Sequence, residues 1–489
     1  MVFHDLNQIR SLLDQVANTL VKEKGFIPEF SKEALDEAHE SSTSDQGKRT
    51  DFCHLFWISI DNIDSRDLDQ LSYAEEIDHS KFRLYVAIAD VDDRVPFDGA
   101  IDRIARNNTT TIYTPFKIFP MIPPKLCYED TSLIANHQRN AFVVQIIISS
   151  DGSFKLEEIH MAVVENKAKL AYPSVSDYLD EKTPLPIEHP HLSTITKQLD
   201  LQFEIAKKIE AARLKKGALT FAPMQGEAIV EEGMPIGLRE KKQSSGQKLI
   251  ENVMIAANVA TTTYFMHAKL PIIRRVVKTP KRWNRIVELA NNLNWKLPKN
   301  PDAKSLQQFL NAQRKKDPLH FPDLSLSVIK LIGRGEYILA KPGQKSIGHF
   351  DLALIDYAHT TAPNRRYPDL TMQRLLKNDL LRTDLEYQTS ILSSIATNCT
   401  AKEEAASKIE RHLYKSFAAF ILKPQIGKEF HGIVTGCTED ATWIRLIEIP
   451  VEGKLVEGCK NVDVGDKIMA KLIHVDIEKG FIDFSKSSR

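Results

Sequence analysis

Apolar side chains at the start of the chain recur at three- and four-residue steps. Leu6, Ile9, Leu12, Leu13, Val16 and Leu20 form one helical stripe. A second short helix is expected after Ser31, and the polar run 41–49 reads as a linker. The period then changes. Residues 52–60 read as a strand, and residues 82–89 are apolar on both faces, as a buried strand should be. Residues 142–149 lead into Asp151-Gly152, a hairpin turn, with another strand beyond it. Residues 250–266 are apolar almost all round, which predicts a helix inside the core with Glu251 at its start. Thr400 and Glu403 have capping-box spacing and predict a helix opening there, with Ala406, Ile409, Leu413 and Phe417 turned inward. From about Gly427 the pattern shifts to short β-rich runs at 430–434, 442–446, 467–475 and 481–484. Glycine and acidic turns separate them, which predicts a small Greek-key barrel. The fold class is α+β, without internal repeats.

Composition narrows the class. The chain has 489 residues, 42% hydrophobic and 27% charged, enough for two or three domains of an ordinary globular protein. No apolar run approaches the ~20 residues of a membrane-spanning helix, and residues 1–10 lack the apolar stretch of a secretory signal. Cys53, Cys127, Cys399, Cys437 and Cys459 are far apart, which argues against structural zinc and a disulfide framework. A cytoplasmic protein is expected. The 65 basic and 65 acidic residues cancel, so a nucleic-acid partner would need its cations gathered in a groove. Arg213, Lys215, Lys216, Arg274, Arg275, Lys278, Lys281, Arg282, Arg365 and Arg366 are the candidates.

The most informative stretch is acidic. Asp61, Asp64, Asp67 and Asp69 leave the end of an apolar strand together. Such a group needs a counter-charge if it is compact, and a hard divalent cation with oxygen ligands is the natural one. Phosphodiester hydrolysis uses such a site. On spacing alone a solvated acidic loop is the simpler reading. An EF-hand is excluded by the missing glycine and closing glutamate.

Several further motifs follow in order. They are Ile60-Asp61 with Asp67-Leu68-Asp69, Val86-Ala-Ile-Ala-Asp90, Tyr113-Thr-Pro with Pro120-Met-Ile-Pro123, and Lys167-Ala-Lys-Leu-Ala-Tyr172. Then come Gly217-Ala-Leu-Thr-Phe221, Ile250-Glu251 with Met254-Ile-Ala-Ala-Asn258, and Gly348-His-Phe before Ala362-Pro-Asn-Arg365-Arg-Tyr-Pro-Asp369. Together they resemble the ribonuclease II and ribonuclease R family, the RNB exoribonucleases, with a tail similar to an S1 RNA-binding domain. The resemblance implies a short helical region at 1–48, an RNB catalytic domain of mixed sheets and helices around an RNA channel at 49–425, and an S1-like OB-fold barrel at 426–489. It implies processive 3′-to-5′ hydrolysis of single-stranded RNA to nucleoside 5′-monophosphates with Mg²⁺, or Mn²⁺ in its place. No protein partner is identifiable from the sequence, and a monomer is expected.

Position by position, Asp61, Asp67 and Asp69 resemble the family's metal-binding and catalytic aspartates. Arg365 looks like the arginine that holds the scissile phosphate, a task suited to an always-charged guanidinium. Tyr113 and Phe221 match aromatics that clamp stacked bases, a sequence-tolerant contact worth ~1–3 kcal/mol per base. Core packing is the simpler reading of Phe221 taken alone. Tyr172 and Glu251 match the pair that anchors the 3′-terminal nucleotide, and Glu410 a carboxylate near the RNA end.

This sequence departs from the family pattern at three places. Gln70 stands where a second adjacent aspartate is usual, leaving a neutral and weaker metal ligand and raising the alternative of a catalytically weak or inactive RNA-binding protein. Ala362 and Asn364 replace the usual serine and isoleucine, and the N-terminal stretch is too short for paired cold-shock domains. RNA capture is then expected from the core and the tail. Acidic residues slightly outnumber basic ones in that tail, so Phe430, His431 and Trp443 are its candidate RNA contacts.

Overall fold

The computed structural model describes residues 2–40, 47–231, 234–384, 387–438, 441–459 and 462–487. The linker expected at 41–49 lies largely outside them. At the centre is a sheet that closes on itself. Strands Trp57–Asp61, Gln70–Asp78, Lys81–Ala89 and Gln138–Ser149 are antiparallel neighbours in that order. The 18-residue strand Phe154–Ala171 pairs with Gln138–Ser149 along its first part and runs parallel to Trp57–Asp61 along its last. Ile58, Ile60, Leu84, Val86, Val143 and Ile146 are buried, so their residues pack as the apolar runs require.

Strand Gln70–Asp78 is not visible as an apolar run, because its polar groups are met by another element. Ser72 Oγ donates to Gln202 Oε1 at 2.7 Å, and Gln198 exchanges two hydrogen bonds with the backbone of Ala74 at 2.8 and 2.9 Å. Both glutamines belong to helix Leu192–Lys216. Together with buried Arg213 they interrupt its stripe of Ile195, Leu199, Ile205 and Ile209, which conceals the helix as well.

Two helix boundaries correct the sequence reading. The core helix is Ser245–His267, opened by a capping box between Ser244 and Gln247. Glu251 therefore lies in its second turn and not at its start. Thr400 opens nothing, because one continuous helix spans Thr389–Leu422. Its hydroxyl accepts from Tyr337 N at 2.8 Å, so the side chain that looked like a cap ties the helix to strand Glu336–Ala340.

Helix Val2–Glu23 lies along Thr389–Leu422, where Ala17 and Val21 join Ile112, Phe119, Ile409 and Leu413 in one cluster. Helix Lys32–Glu40 begins as expected after Ser31, whose Oγ accepts from Ala34 N at 3.2 Å. Helices Trp283–Asn292, Ala303–Lys316 and Phe321–Ile332 cover a separate cluster around Ile286, Phe309 and Val328.

The tail is a closed barrel of Glu429–Cys437, Thr442–Leu446, Glu452–Glu457, Phe481–Lys486 and Lys467–Asp476, in that spatial order. Glu452–Glu457 escaped the hydropathy pattern because the barrel needs glycine rather than bulk there. A Cβ at Gly453 would lie 2.5 Å from both Ile482 O and the Phe484 ring. Phe430 belongs to the barrel core, which corrects its assignment to an RNA-facing surface, whereas His431 and Trp443 are exposed. The barrel is latched to the body by Arg445, whose guanidinium donates to both Asp323 oxygens at 2.9 and 2.7 Å. The architecture is thus the expected α+β body with a helical N-terminal region and a C-terminal barrel. No described helix is long and apolar enough to cross a membrane.

Helix Tyr367–Leu381 is buried along most of its length yet carries charge. Arg374 donates to Asp92 and Asp102 at 2.7 Å each and to Val95 O at 2.6 Å. Lys377 donates to Asp90, Asp92 and Asp93 at 3.0, 3.1 and 2.7 Å, and Arg49 bridges Asp90 and Asp93 from the other side. Removing one member of such a group leaves the others unpaired in the interior. Arg374→Ala should therefore cost about 3–5 kcal/mol, read as a lowered urea midpoint at unchanged slope. An unchanged midpoint would mean that water can replace the guanidinium.

Candidate active site

Asp61 ends strand Trp57–Asp61 directly opposite Ala171, and Tyr172 opens the helix that follows. The chain then leaves the sheet and is pulled back by Leu68. Its N–H donates to Ser132 Oγ at 3.0 Å, its carbonyl accepts from Leu133 N at 3.0 Å, and its side chain is buried. That anchor places Asp67 and Asp69 on either side of it. Gln70 starts the next strand, with its Nε2 donating to Asp61 Oδ1 at 3.2 Å. Asp64 is exposed and stays outside the group.

A second backbone segment approaches, the one just before helix Tyr367–Leu381. Asn364 N donates to Asp69 Oδ1 and Arg365 Nε to Asp69 Oδ2, both at 3.0 Å. Asn364 is itself held by Thr131, whose Oγ1 donates to its Oδ1 at 2.6 Å. The carbonyl of Arg365 accepts from Thr111 N at 3.0 Å, which aligns the short strand Ile112–Tyr113 with this segment. Tyr113 Oη then donates to Asp67 Oδ2 at 2.6 Å, and Tyr113 N donates to Glu410 Oε1 at 3.1 Å. Asp61 and Gln70 form one contact of the site. Asp69 with Arg365, and Asp67 with Tyr113 and Glu410, form the others.

Two candidates lie apart from these contacts. Glu251 is exposed on its helix and accepts a short hydrogen bond from Gln243 Nε2. Phe221 is half-buried against the cluster around Ile286 and Phe309. Tyr172, also half-buried, is close enough to Asp61 and Arg365 to feel both charges, although burial is the main cause of its raised pKa. Two participants were missed. Lys169 pulls on Asp61 electrostatically while its Nζ donates to Ser65 O at 2.6 Å. It pairs with Ser59, two residues before Asp61, so strand parity could have identified it. The Asn364 amide was missed because backbone donors leave no mark in a sequence.

The electrostatics show a shortage of positive charge. Burial pushes Asp61 up to about 7; Lys169 and Arg365 pull it down, while Asp67 adds to the rise. Asp61 Oδ2 is buried, and among the described residues it has no hydrogen-bond partner. Burial likewise pushes Asp69 up to about 7 against the pull of Arg365, with Asp67 again raising it. Among the described residues no three His, Cys, Asp or Glu side chains are gathered as a ready set of metal ligands. A cation near Asp61 Oδ2 would nonetheless meet an atom that nothing else meets, so the residues fit one.

The chain is similar to known proteins in sequence and in fold. The RNB domain matches residues 49–382, and the RNase II-type exonuclease C-terminal S1 domain matches residues 428–487. Ribonuclease R 1 of Lactococcus lactis is 28% identical over 443 residues, covering 87% of this chain and 53% of that protein. Ribonuclease R of Aquifex aeolicus is 26% identical over 465 residues, covering 89% and 64%. The chain thus spans between about half and two thirds of these curated relatives. The structure of Mycoplasma genitalium RNase R in complex with ribose methylated single-stranded RNA superposes with a TM-score of 0.86 at 25% identity, over 96% of this chain and 77% of that one. Yeast Ssd1, a pseudonuclease, shares the fold with a TM-score of 0.69 at 16% identity, over 94% and 57%. With the RNB domain matched over most of its length and the S1 domain behind it, the chain belongs to the RNB family.

Proposed function

We propose that this chain is a 3′-to-5′ exoribonuclease that hydrolyses single-stranded RNA processively to nucleoside 5′-monophosphates, using a divalent cation. The observation that carries the reading is Arg365, fixed through its Nε on Asp69 and 40% exposed at its side chain, beside acidic groups short of a counter-charge. Asp61 and Asp67 would hold the cation, with Asp69 and Gln70 at its edge. Mg²⁺ or Mn²⁺ suits these oxygen donors. When bound, it supplies an activated water and offsets charge building on the phosphate.

The chain's own residues do the rest. Water adds to the terminal phosphorus, the bond to the upstream 3′ oxygen breaks, and that oxygen takes a proton. Arg365 neutralises the phosphoryl oxygens, and Asp69 keeps its guanidinium oriented. Tyr113 fixes Asp67 through its hydroxyl while its ring, 39% exposed as a residue, is free to stack on a base. Tyr172, Glu251, Phe221 and Glu410 extend the RNA contact away from the reacting bond.

A second reading has one observation in its favour. Gln70 donates its amide to Asp61, so it partly satisfies a carboxylate that a cation would otherwise claim. A binder with little catalysis would keep the same fold. Incubating purified protein with 5′-labelled oligo(A) and Mg²⁺ decides between them. A ladder with released monophosphate means exonuclease; a stable retarded complex without cleavage means binder.

Asp69→Asn should lower kcat by about 10²–10³, because Arg365 loses its charged anchor, while RNA affinity stays within about three-fold since most of it comes from stacking and phosphate contacts. Affinity falling in step with kcat would remove Asp69 from the chemistry.

Asp61 also gives a test independent of turnover. Its folded pKa is raised from 3.8 to about 7, so between those values the folded protein holds a proton that the unfolded chain has lost. Metal-free stability should fall as pH rises through this window. Mg²⁺ should raise the melting temperature more at about pH 8 than at about pH 6, where it must displace that proton. Equal Mg²⁺ effects in wild type and Asp61→Asn would show that the cation binds elsewhere.

Gln70→Asp tests what the neutral side chain does to the cation site. In a working enzyme it should lower the Mg²⁺ concentration for half-maximal rate, because it replaces a neutral donor by a carboxylate. A lower rate at every Mg²⁺ concentration would instead mark a site rebuilt around the Gln70–Asp61 hydrogen bond.

A further inference from the structure

We propose that Lys241 binds a phosphate of the RNA backbone beside Glu410, held there by a junction of a hairpin, the long helix and the barrel. The proposal rests on the RNA-degrading reading above. Strands Gly226–Glu231 and Met234–Glu240 form the hairpin, with Gly226 paired to Glu240. Lys241 follows Glu240, and its N–H donates to Gln225 O at 2.8 Å, so its backbone is fixed at the base of the hairpin.

That base is pressed against two other elements. A Cβ at Gly226 would lie 1.6 Å from Tyr414 Oη and 3.0 Å from Pro450 O, so any larger residue there would have to displace the tyrosine. Tyr414 Oη donates to Pro450 O at 2.9 Å, which joins helix Thr389–Leu422 to the barrel at the same point. Leu238, on the second hairpin strand, packs against the barrel core. Tyr414 follows Glu410 by four residues and therefore shares its helix face. Lys241 is thereby brought within electrostatic reach of Glu410, where it opposes the effect of burial on that carboxylate.

Glu410 is already used, since its Oε1 accepts from the N–H of Tyr113, the residue whose ring is offered to a base. Alone it would repel an approaching phosphate. Lys241 is exposed, and its ammonium makes no hydrogen bond or close ion pair among the described residues. One step further along the helix, Lys415 stands 5.4 Å from the centre of the Trp443 ring on the barrel. An exposed cation and, separately, a cation–aromatic pair are groups that bind a single strand without reading its bases.

The test uses the full chain and fluorescein-labelled oligo(A) without added divalent cation, with affinity measured by anisotropy across a salt series. Lys241→Gln should weaken binding several-fold at low salt and reduce the slope of log K against log salt by about 0.7, the value for one phosphate contact on a single strand. Lys241→Arg should retain both affinity and slope. Unchanged affinity in Lys241→Gln overturns the proposal. So does weakened affinity at an unchanged slope, which would mean that the residue only supports the hairpin. A wild-type chain that binds no RNA would sink the functional reading itself, and the proposal with it.

Discussion

A helix with little exposed face can carry charge only if the surrounding chain meets it. Tyr367–Leu381 is such a helix, and Asp90, Asp92, Asp93 and Asp102 are what meet it. Three of these lie just past the end of strand Lys81–Ala89, so the ion pairs fasten the helix to the edge of the closed sheet. The same strand end receives Asp69, whose carbonyl accepts from Ala89 N at 2.9 Å. Asn364 and Arg365 come just before Arg366, which caps the helix, and Asp69 immediately precedes strand Gln70–Asp78. The 3.0 Å contacts between them therefore depend on where the buried charges hold the helix. Buried ion pairs are poor sources of net stability. Here they set the position of a guanidinium.

The acidic group illustrates the opposite case, a charge left unmet. Asp69 has both oxygens occupied, Asp67 has a tyrosine hydroxyl, and Asp61 has one glutamine amide and one empty oxygen. The order of satisfaction follows the geometry of delivery. Asp67 and Asp69 flank an anchored leucine and meet a second backbone, whereas Asp61 ends a central strand, where among the described residues Lys169 and Arg365 offset its charge.

Much of this could be read from the sequence, and the remainder was hidden for identifiable reasons. Apolar runs located the strands at 81–89 and 138–149, the first helix and most of the barrel, because burial alone decides those elements. Helix Leu192–Lys216 was concealed by the buried glutamines that serve a neighbouring strand, and Glu452–Glu457 by a glycine required for closure. Thr400 has the spacing of a cap but spends its hydroxyl on Tyr337, so a local rule was overridden by a tertiary contact. At the site, carboxylates and Arg365 were legible through the resemblance to the RNB exoribonucleases. The contribution of Asn364 was not, because it acts through its main chain.

The closed sheet also constrains how this chain could change in length. Strand Phe154–Ala171 is held on both sides, first by Gln138–Ser149 and then by Trp57–Asp61, and its last residue faces Asp61. Side chains alternate along it, so one inserted or deleted residue would exchange its two faces. Lys169 would turn away from Asp61, and Tyr172 would enter its helix from the wrong position. Length variation should therefore be tolerated in the exposed run 182–184 just past the next helix, and selected against anywhere between residues 154 and 172.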